Sequence, residues 1–246
     1  MGYMKYPVVR NKVMRPGNLW VARVILAAIL LTLSLLASAQ TAGALLNDQC
    51  TGCHNLTGPA PKTLAALWTR KGPDLFYAGN KYKQDWLVEW LQAPKRIRPA
   101  GMFYADHIKT TPDGDVVDKA TLTEHPRLQP AQAKVIAAHL MTLKAKTALI
   151  TVGDYIPGSI SPSMGEMMFD KFRGCLACHE IEPGYGGASG PEVYSVAKRL
   201  QEDYLISFMR NPPAWDPKTF MPNKQLKEQD LQKLVHYFRA LSEKTF

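Results

Sequence analysis

Two pentapeptides hold the reactive residues of this chain: Cys50-Thr51-Gly52-Cys53-His54 and Cys175-Leu176-Ala177-Cys178-His179. Between them they use all four cysteines. Cys-x-x-Cys-His is the pattern of c-type haem attachment. Two thiols one helical turn apart add to the two vinyl groups on one edge of a porphyrin. The histidine that follows then lies below the ring, where its imidazole reaches the iron. Two covalently bound haem c groups are therefore expected, on Cys50 and Cys53 and on Cys175 and Cys178, with His54 and His179 as axial ligands. Zinc ribbons place their cysteine pairs about 15–20 residues apart, whereas 121 residues separate these. Disulfides between neighbouring cysteines suit an oxidising compartment, but they leave the histidine after each pair unexplained.

The elements that must position these turns also repeat. Residues 71–94, KGPDLFYAGNKYKQDWLVEWLQAP, align without a gap to residues 189–212, SGPEVYSVAKRLQEDYLISFMRNP, at an offset of 118. Residues 128–143 then align to 226–241 at an offset of 98. Each repeat thus runs from Cys-x-x-Cys-His to Gly-Pro, an amphipathic helix ending near proline, a loop and a closing amphipathic helix. Met168, Phe169 and Phe172 share one face at the helical period before the second pentapeptide, with Tyr237 in the closing helix. Residues 146–163, rich in Pro, Gly and Ser, read as a linker.

In this order of motifs the chain resembles the class I cytochrome c family, over about residues 43–143 and again 164–242. The resemblance implies an all-α fold of two tandem haem domains. The expected organisation is a signal segment over 1–39, a first domain over 40–145 with an inserted loop at about 103–124, the linker, and a second domain over 164–246. It also implies that Pro73 and Pro191 pack against the pentapeptide histidines, each carbonyl accepting the imidazole N–H and so fixing the tautomer.

The sixth iron ligand separates the two repeats. In the second, Thr219-Phe220-Met221-Pro222-Asn223 matches the family's ligand loop, and Met221 is the expected ligand. A thioether in that place raises the reduction potential. In the first, three residues compete, alongside the reading that no side chain fills the place and the iron is vacant or water-bound. Met102 lies eight residues after Pro94, close to the spacing of Met221 from Pro212, and is preferred. His125 stands before a proline, as Met221 does, and His107 is a third candidate. The intervening insertion contains Asp113-Gly114, a turn signal for a hairpin or compact loop. Arg70, Arg96 and Arg98 flank the first haem's loops, either as partners of its propionates or as a solvated basic face.

The N-terminus reads as a targeting segment. Five basic and no acidic residues in 1–23 precede a run of 16 uncharged residues, 24–39, ending Ala37-Ser38-Ala39. This is the form of a cleaved secretory signal, and the run is short of the ~20 residues that span a bilayer. Periplasmic export is expected, with an uncleaved membrane anchor as the alternative. The formal charge of +9 becomes +4 from Gln40 onward, with 25 basic against 21 acidic residues. That excess is too small to indicate nucleic-acid binding, and no basic cluster interleaved with aromatics suggests it.

The function expected is electron transport by an exported dihaem cytochrome c, with a redox donor and acceptor as partners, within a respiratory chain or as the cytochrome subunit of a larger membrane redox complex. The alternative is a dihaem enzyme, peroxidase-like or acting on a sulfur compound, with an active first haem. Dihaem thiosulfate enzymes typically use a cysteine ligand, and here attachment consumes every cysteine.

Overall fold

The structure is a computed structural model and describes residues 1, 23–26 and 42–245. Most of the expected signal segment, and the cleavage site in it, lies outside the described residues. The chain divides into two units, Met1–Gly43 and Ala44–Phe246. In the first, residues 23–26 are helical. Among the described residues no helix is long and apolar enough to cross a membrane. Both repeats fall in the second unit.

A helix over 42–49 (α1) leads into the first pentapeptide. It is followed by α2 (Leu64–Trp68), α3 (Ala78–Lys81) and α4 (Gln84–Gln92). Asp85 lies in the first turn of α4, where an acid complements the helix dipole. Leu87 and Leu91, one turn apart, are its buried residues. The closing helix α5 (Pro130–Thr142) starts with proline at a position that needs no N–H donor, and Gln129 and Gln132 form a capping box. Its buried residues, Ala133, Ile136, Ala137 and Leu140, follow the helical period and pack on α4.

The second repeat has the same order: α6 (Pro162–Met167), α7 (Val196–Arg199), α8 (Glu202–Arg210), α9 (Pro212–Trp215) and α10 (Glu228–Glu243). Helix α10 packs on both α6 and α8. A Cβ on Gly165 would come within 2.2 Å of Tyr237 Cδ2, so the crossing of α6 and α10 needs glycine there. A π-helical turn, Met168–Phe172, follows α6. The wider turn breaks the expected face: Met168 and Phe169 are buried, whereas Phe172 points out, 60% exposed.

The all-α expectation is corrected. The fold is mixed, with two small antiparallel sheets among its helices. In the insertion, β1 (Ile108–Thr111) pairs with β2 (Gly114–Val117) across Pro112-Asp113, with Thr111 opposite Gly114. Lys109 pairs with Asp118 at 2.8 Å beside the hairpin. In the second repeat β3 (Glu180–Glu182) pairs with β4 (Tyr185–Gly186) across Pro183-Gly184. Both loops are two-residue turns of the kind that close hairpins. These strands are too short for the period-2 signal to stand out from surrounding loop sequence.

The repeats meet about a local two-fold relation. Lys83 N donates to Arg199 O and Gln201 N donates to Lys81 O, each at 2.9 Å, around a bridge between Tyr82 and Leu200. Every residue in this set has its counterpart 118 positions away, as in the self-complementary interface of a symmetric dimer. The 146–163 segment is tied down along its length. Asp203 accepts Gly153 N and Tyr155 N, each at 2.9 Å, Gln232 accepts Ile156 N at 2.9 Å, and His236 Nε2 donates to Ile156 O at 2.9 Å.

Candidate haem sites

Both pentapeptides form one helical turn. His54 N donates to Cys50 O at 2.9 Å, and His179 N to Cys175 O at 3.1 Å. The turn gives each pair one half-buried thiol, Cys50 or Cys175, and one exposed thiol, Cys53 or Cys178, and no disulfide joins them. Burial pushes the Cys50 thiol above its ordinary range and that of Cys175 up to about 11. Among the described residues no group of three or more His, Cys, Asp or Glu side chains is placed to hold a bare metal ion.

Each histidine is held by the Gly-Pro loop of its own repeat. His54 Nδ1 lies 2.8 Å from Pro73 O and His179 Nδ1 lies 2.7 Å from Pro191 O. A carbonyl only accepts, so Nδ1 carries the proton in both rings and Nε2 keeps its lone pair. This is the tautomer a metal-binding imidazole needs. The preceding glycine lets the loop approach: a Cβ on Gly72 would lie 2.6 Å from His54 Cε1, and one on Gly190 2.7 Å from His179 Cε1. Burial holds both imidazoles below their ordinary pKa, against the proline hydrogen bonds, which raise it. Both are therefore neutral near pH 7.

In the first repeat the ring brought up to His54 is His125. The two ring centroids are 6.2 Å apart. Nδ1 of His125 donates to Pro126 O at 2.8 Å, so its Nε2 also keeps a lone pair. Trp90, on α4, braces His125 with ring centroids 4.6 Å apart, and its Nε1 donates to Lys95 O at 2.9 Å. Burial lowers the His125 pKa, which favours the neutral, ligating form.

Of the three sequence candidates, His125 is the one whose ring lies beside His54. Carrying the 118-residue offset onward places Phe103, not Met102, opposite Met221. Phe103 is buried in a different group, with ring centroids 4.6 Å from Trp68 and 6.3 Å from Phe220. His107 belongs to the insertion, where Nδ1 donates to Thr121 Oγ1 at 2.8 Å. The insertion shifts the spacing between the repeats, and the folded loop brings His125 beside His54. In the second repeat Met221 is half-buried against the core, and its N–H donates to Thr219 Oγ1 at 3.3 Å.

Charged residues surround the proline loops, and sequence reading picks out Arg70 and Arg96 but not Asp74, Asp216, Glu192 or Arg199. Arg70 reaches Asp216 at 2.7 Å and Asp74 at 3.2 Å. Glu192 pairs with Arg199 at 3.3 Å, both side chains 4% exposed. The repeated acid after Gly-Pro, Asp74 and Glu192, is the sequence signal that marks these clusters. Arg96 donates to Thr123 O at 3.0 Å and so anchors the insertion. Comparison with known proteins found no matching family model, no matching curated protein and no matching solved structure.

Proposed function

We propose that this chain is an exported dihaem c-type cytochrome that carries electrons between redox partner proteins, in a respiratory chain or as a subunit of a membrane redox complex. The observation that carries the reading is the twice-built turn: a Cys-x-x-Cys-His helix whose histidine has Nδ1 tied to a proline carbonyl and Nε2 left to bind. Bound haem would supply a one-electron Fe(III)/Fe(II) couple at each turn. Cys50 and Cys53 would tether the first group, and Cys175 and Cys178 the second.

The chain's own residues set the difference between the two sites. His54 and His125 present two neutral imidazoles to the first. His179 and Met221 present an imidazole and a thioether to the second. A thioether favours the reduced iron, so the second site would hold the higher potential. Electrons would then move from the first repeat to the second. Gly72 and Gly190 keep the imidazoles seated, and Pro73 and Pro191 hold the proton on Nδ1. With His125 and Met221 as sixth ligands neither iron would keep an open position, and that would favour a carrier over the dihaem-enzyme alternative. The basic, then apolar N-terminus supports export to the periplasm, with a retained anchor as the competing outcome.

Absorbance of the ferrous protein under carbon monoxide tests this directly. A carrier binds little or none in the seconds after mixing. Rapid, stoichiometric binding at one haem would sink the proposal and favour an enzyme with an open first site. N-terminal sequencing of the purified protein decides the anchor: a chain beginning at Gln40 excludes it.

A further inference from the structure

The first repeat departs from the shared plan in two stretches, and both reach the same residue of the second. Gly72 follows Cys53 by 19 positions, whereas Gly190 follows Cys178 by 12. The longer stretch holds α2, which has no helical counterpart in the second repeat. The other stretch is the insertion that opens at Phe103. Trp68 closes α2, and its ring centroid lies 4.6 Å from that of Phe103 and 5.6 Å from that of Phe220. Phe103 meets Phe220 edge-on, with centroids 6.3 Å apart. Phe220 directly precedes Met221. The counterpart of Met221 in the first repeat is thus a brace on the loop that carries Met221.

An ion pair ties the other end of that loop to the same part of the first repeat. Arg70, two residues after Trp68, donates from Nη1 to Asp216 Oδ2 at 2.7 Å, with side chains 11% and 14% exposed. Asp216 organises the turn that leads to Met221. Its Oδ1 accepts Lys218 N at 3.3 Å, its carbonyl accepts Thr219 N at 3.0 Å, and Thr219 Oγ1 accepts Met221 N at 3.3 Å. Trp68 and Phe220 are both more than half exposed, so the aromatic clasp lies on the surface. The ion pair is shielded, and loss of either charge leaves the other unpaired.

We infer that Trp68, Phe103 and Arg70 of the first repeat are positioning residues for Met221. They hold the 216–221 loop of the second repeat closed, so that its thioether stays on the second iron only while α2 and the insertion grip it. This rests on the dihaem reading with Met221 as the second iron's ligand. Holding a ligand loop in its bound conformation lowers the entropy lost when the ligand binds. Loosening the grip frees the loop to open locally, and an opened loop exposes the iron to small ligands.

The test is cyanide binding to the oxidised protein, followed as loss of the methionine-to-iron charge-transfer band, after pyridine haemochrome analysis has counted two haems per chain. Trp68→Ala speeds that loss about tenfold, the effect of deleting one aromatic pair. Asp216→Asn keeps an oxygen for Lys218 N but drops the charge that Arg70 meets, and it speeds the loss further. Trp68→Phe restores the clasp and keeps the wild-type rate. A merely structural role would lower the urea midpoint and leave this rate alone. If Asp216→Asn fails to accumulate with two haems, the surface variant Trp68→Ala carries the test. Unchanged rates overturn the inference, as does an equal acceleration of cyanide binding at the first haem, which marks general loosening. A wild type with two haems and no charge-transfer band removes Met221 as the ligand, and fewer than two haems removes the dihaem reading. In either case the inference falls with the reading on which it rests.

Discussion

Around Pro73 one guanidinium, Arg70, meets two carboxylates, Asp74 and Asp216. Around Pro191 the guanidinium of Arg199 pairs with Glu192, and Arg98 donates to the Ser189 carbonyl. Arg98 and Asp216 are equivalent positions, 118 residues apart, and each reaches across to the other repeat: Arg98 to Ser189, Asp216 to Arg70. The backbone plan is shared while the charge at one crossing position is reversed. The proposed sixth ligands differ in parallel, His125 in the first repeat and Met221 in the second. On the proposed reading, a thioether at the second site would favour reduced iron there. The comparison teaches that a duplicated backbone plan diverges through a few side chains, with the helices left alone.

The largest break in that comparison comes from removing one tether at a time. Cys50→Ala with Cys53→Ala leaves one haem per chain by pyridine haemochrome, as does Cys175→Ala with Cys178→Ala. Full loss from one double variant, or no loss from either, would contradict two equivalent attachment sites. Exchange of the distal residues comes next. His125→Met raises the first haem's midpoint and Met221→His lowers the second, so that redox titrations of the two variants converge on a pair of similar haems from opposite sides. Midpoints that stay apart in both variants would place the difference elsewhere.

Packing gives a smaller effect. Phe169 is 2% exposed and contacts His179 and Phe238, with ring centroids at 6.4 and 5.9 Å. Phe169→Ala lowers stability by about 3–5 kcal/mol in denaturant titration. Loss below about 1 kcal/mol would mean that the site collapses readily or that burial there is overstated.

The smallest effect is that of pH. His54, His125 and His179 all have folded pKa values below the ordinary 6.5. Below about pH 6.5 the unfolded chain binds more protons at these rings than the native chain, so stability falls as pH falls through that range. The urea midpoint is lower at about pH 5 than at pH 7, and a midpoint that rises on acidification would contradict the neutral tautomers.

Much of the plan was legible in the sequence because it repeats. The pentapeptides, Gly72-Pro73 and Gly190-Pro191, and the apolar spacing of α5 and α10 are local patterns with local physical causes. Helices α4 and α8 were marked by the same acid in the first turn, Asp85 and Asp203. What stayed hidden depends on contacts far apart in sequence. His125 lies 71 positions from His54 and reaches it only because the β1–β2 insertion folds back on itself. Phe172 left its expected face through a π turn that the 3.6-residue period does not encode. The short strands β3 and β4 lacked the length to show alternation. Arg98 read as a flanking residue of the first site because its partner segment, 188–192, belongs to the second.

The central claim is that the first site is served by His54 and His125 and the second by His179 and Met221. The most direct measurement is the methionine-to-iron charge-transfer band in the red absorption of the oxidised protein, quantified per haem. The account predicts intensity for one haem in two, abolished by Met221→Ala and untouched by Met102→Ala. Intensity for both haems, halved by Met102→Ala, would contradict it.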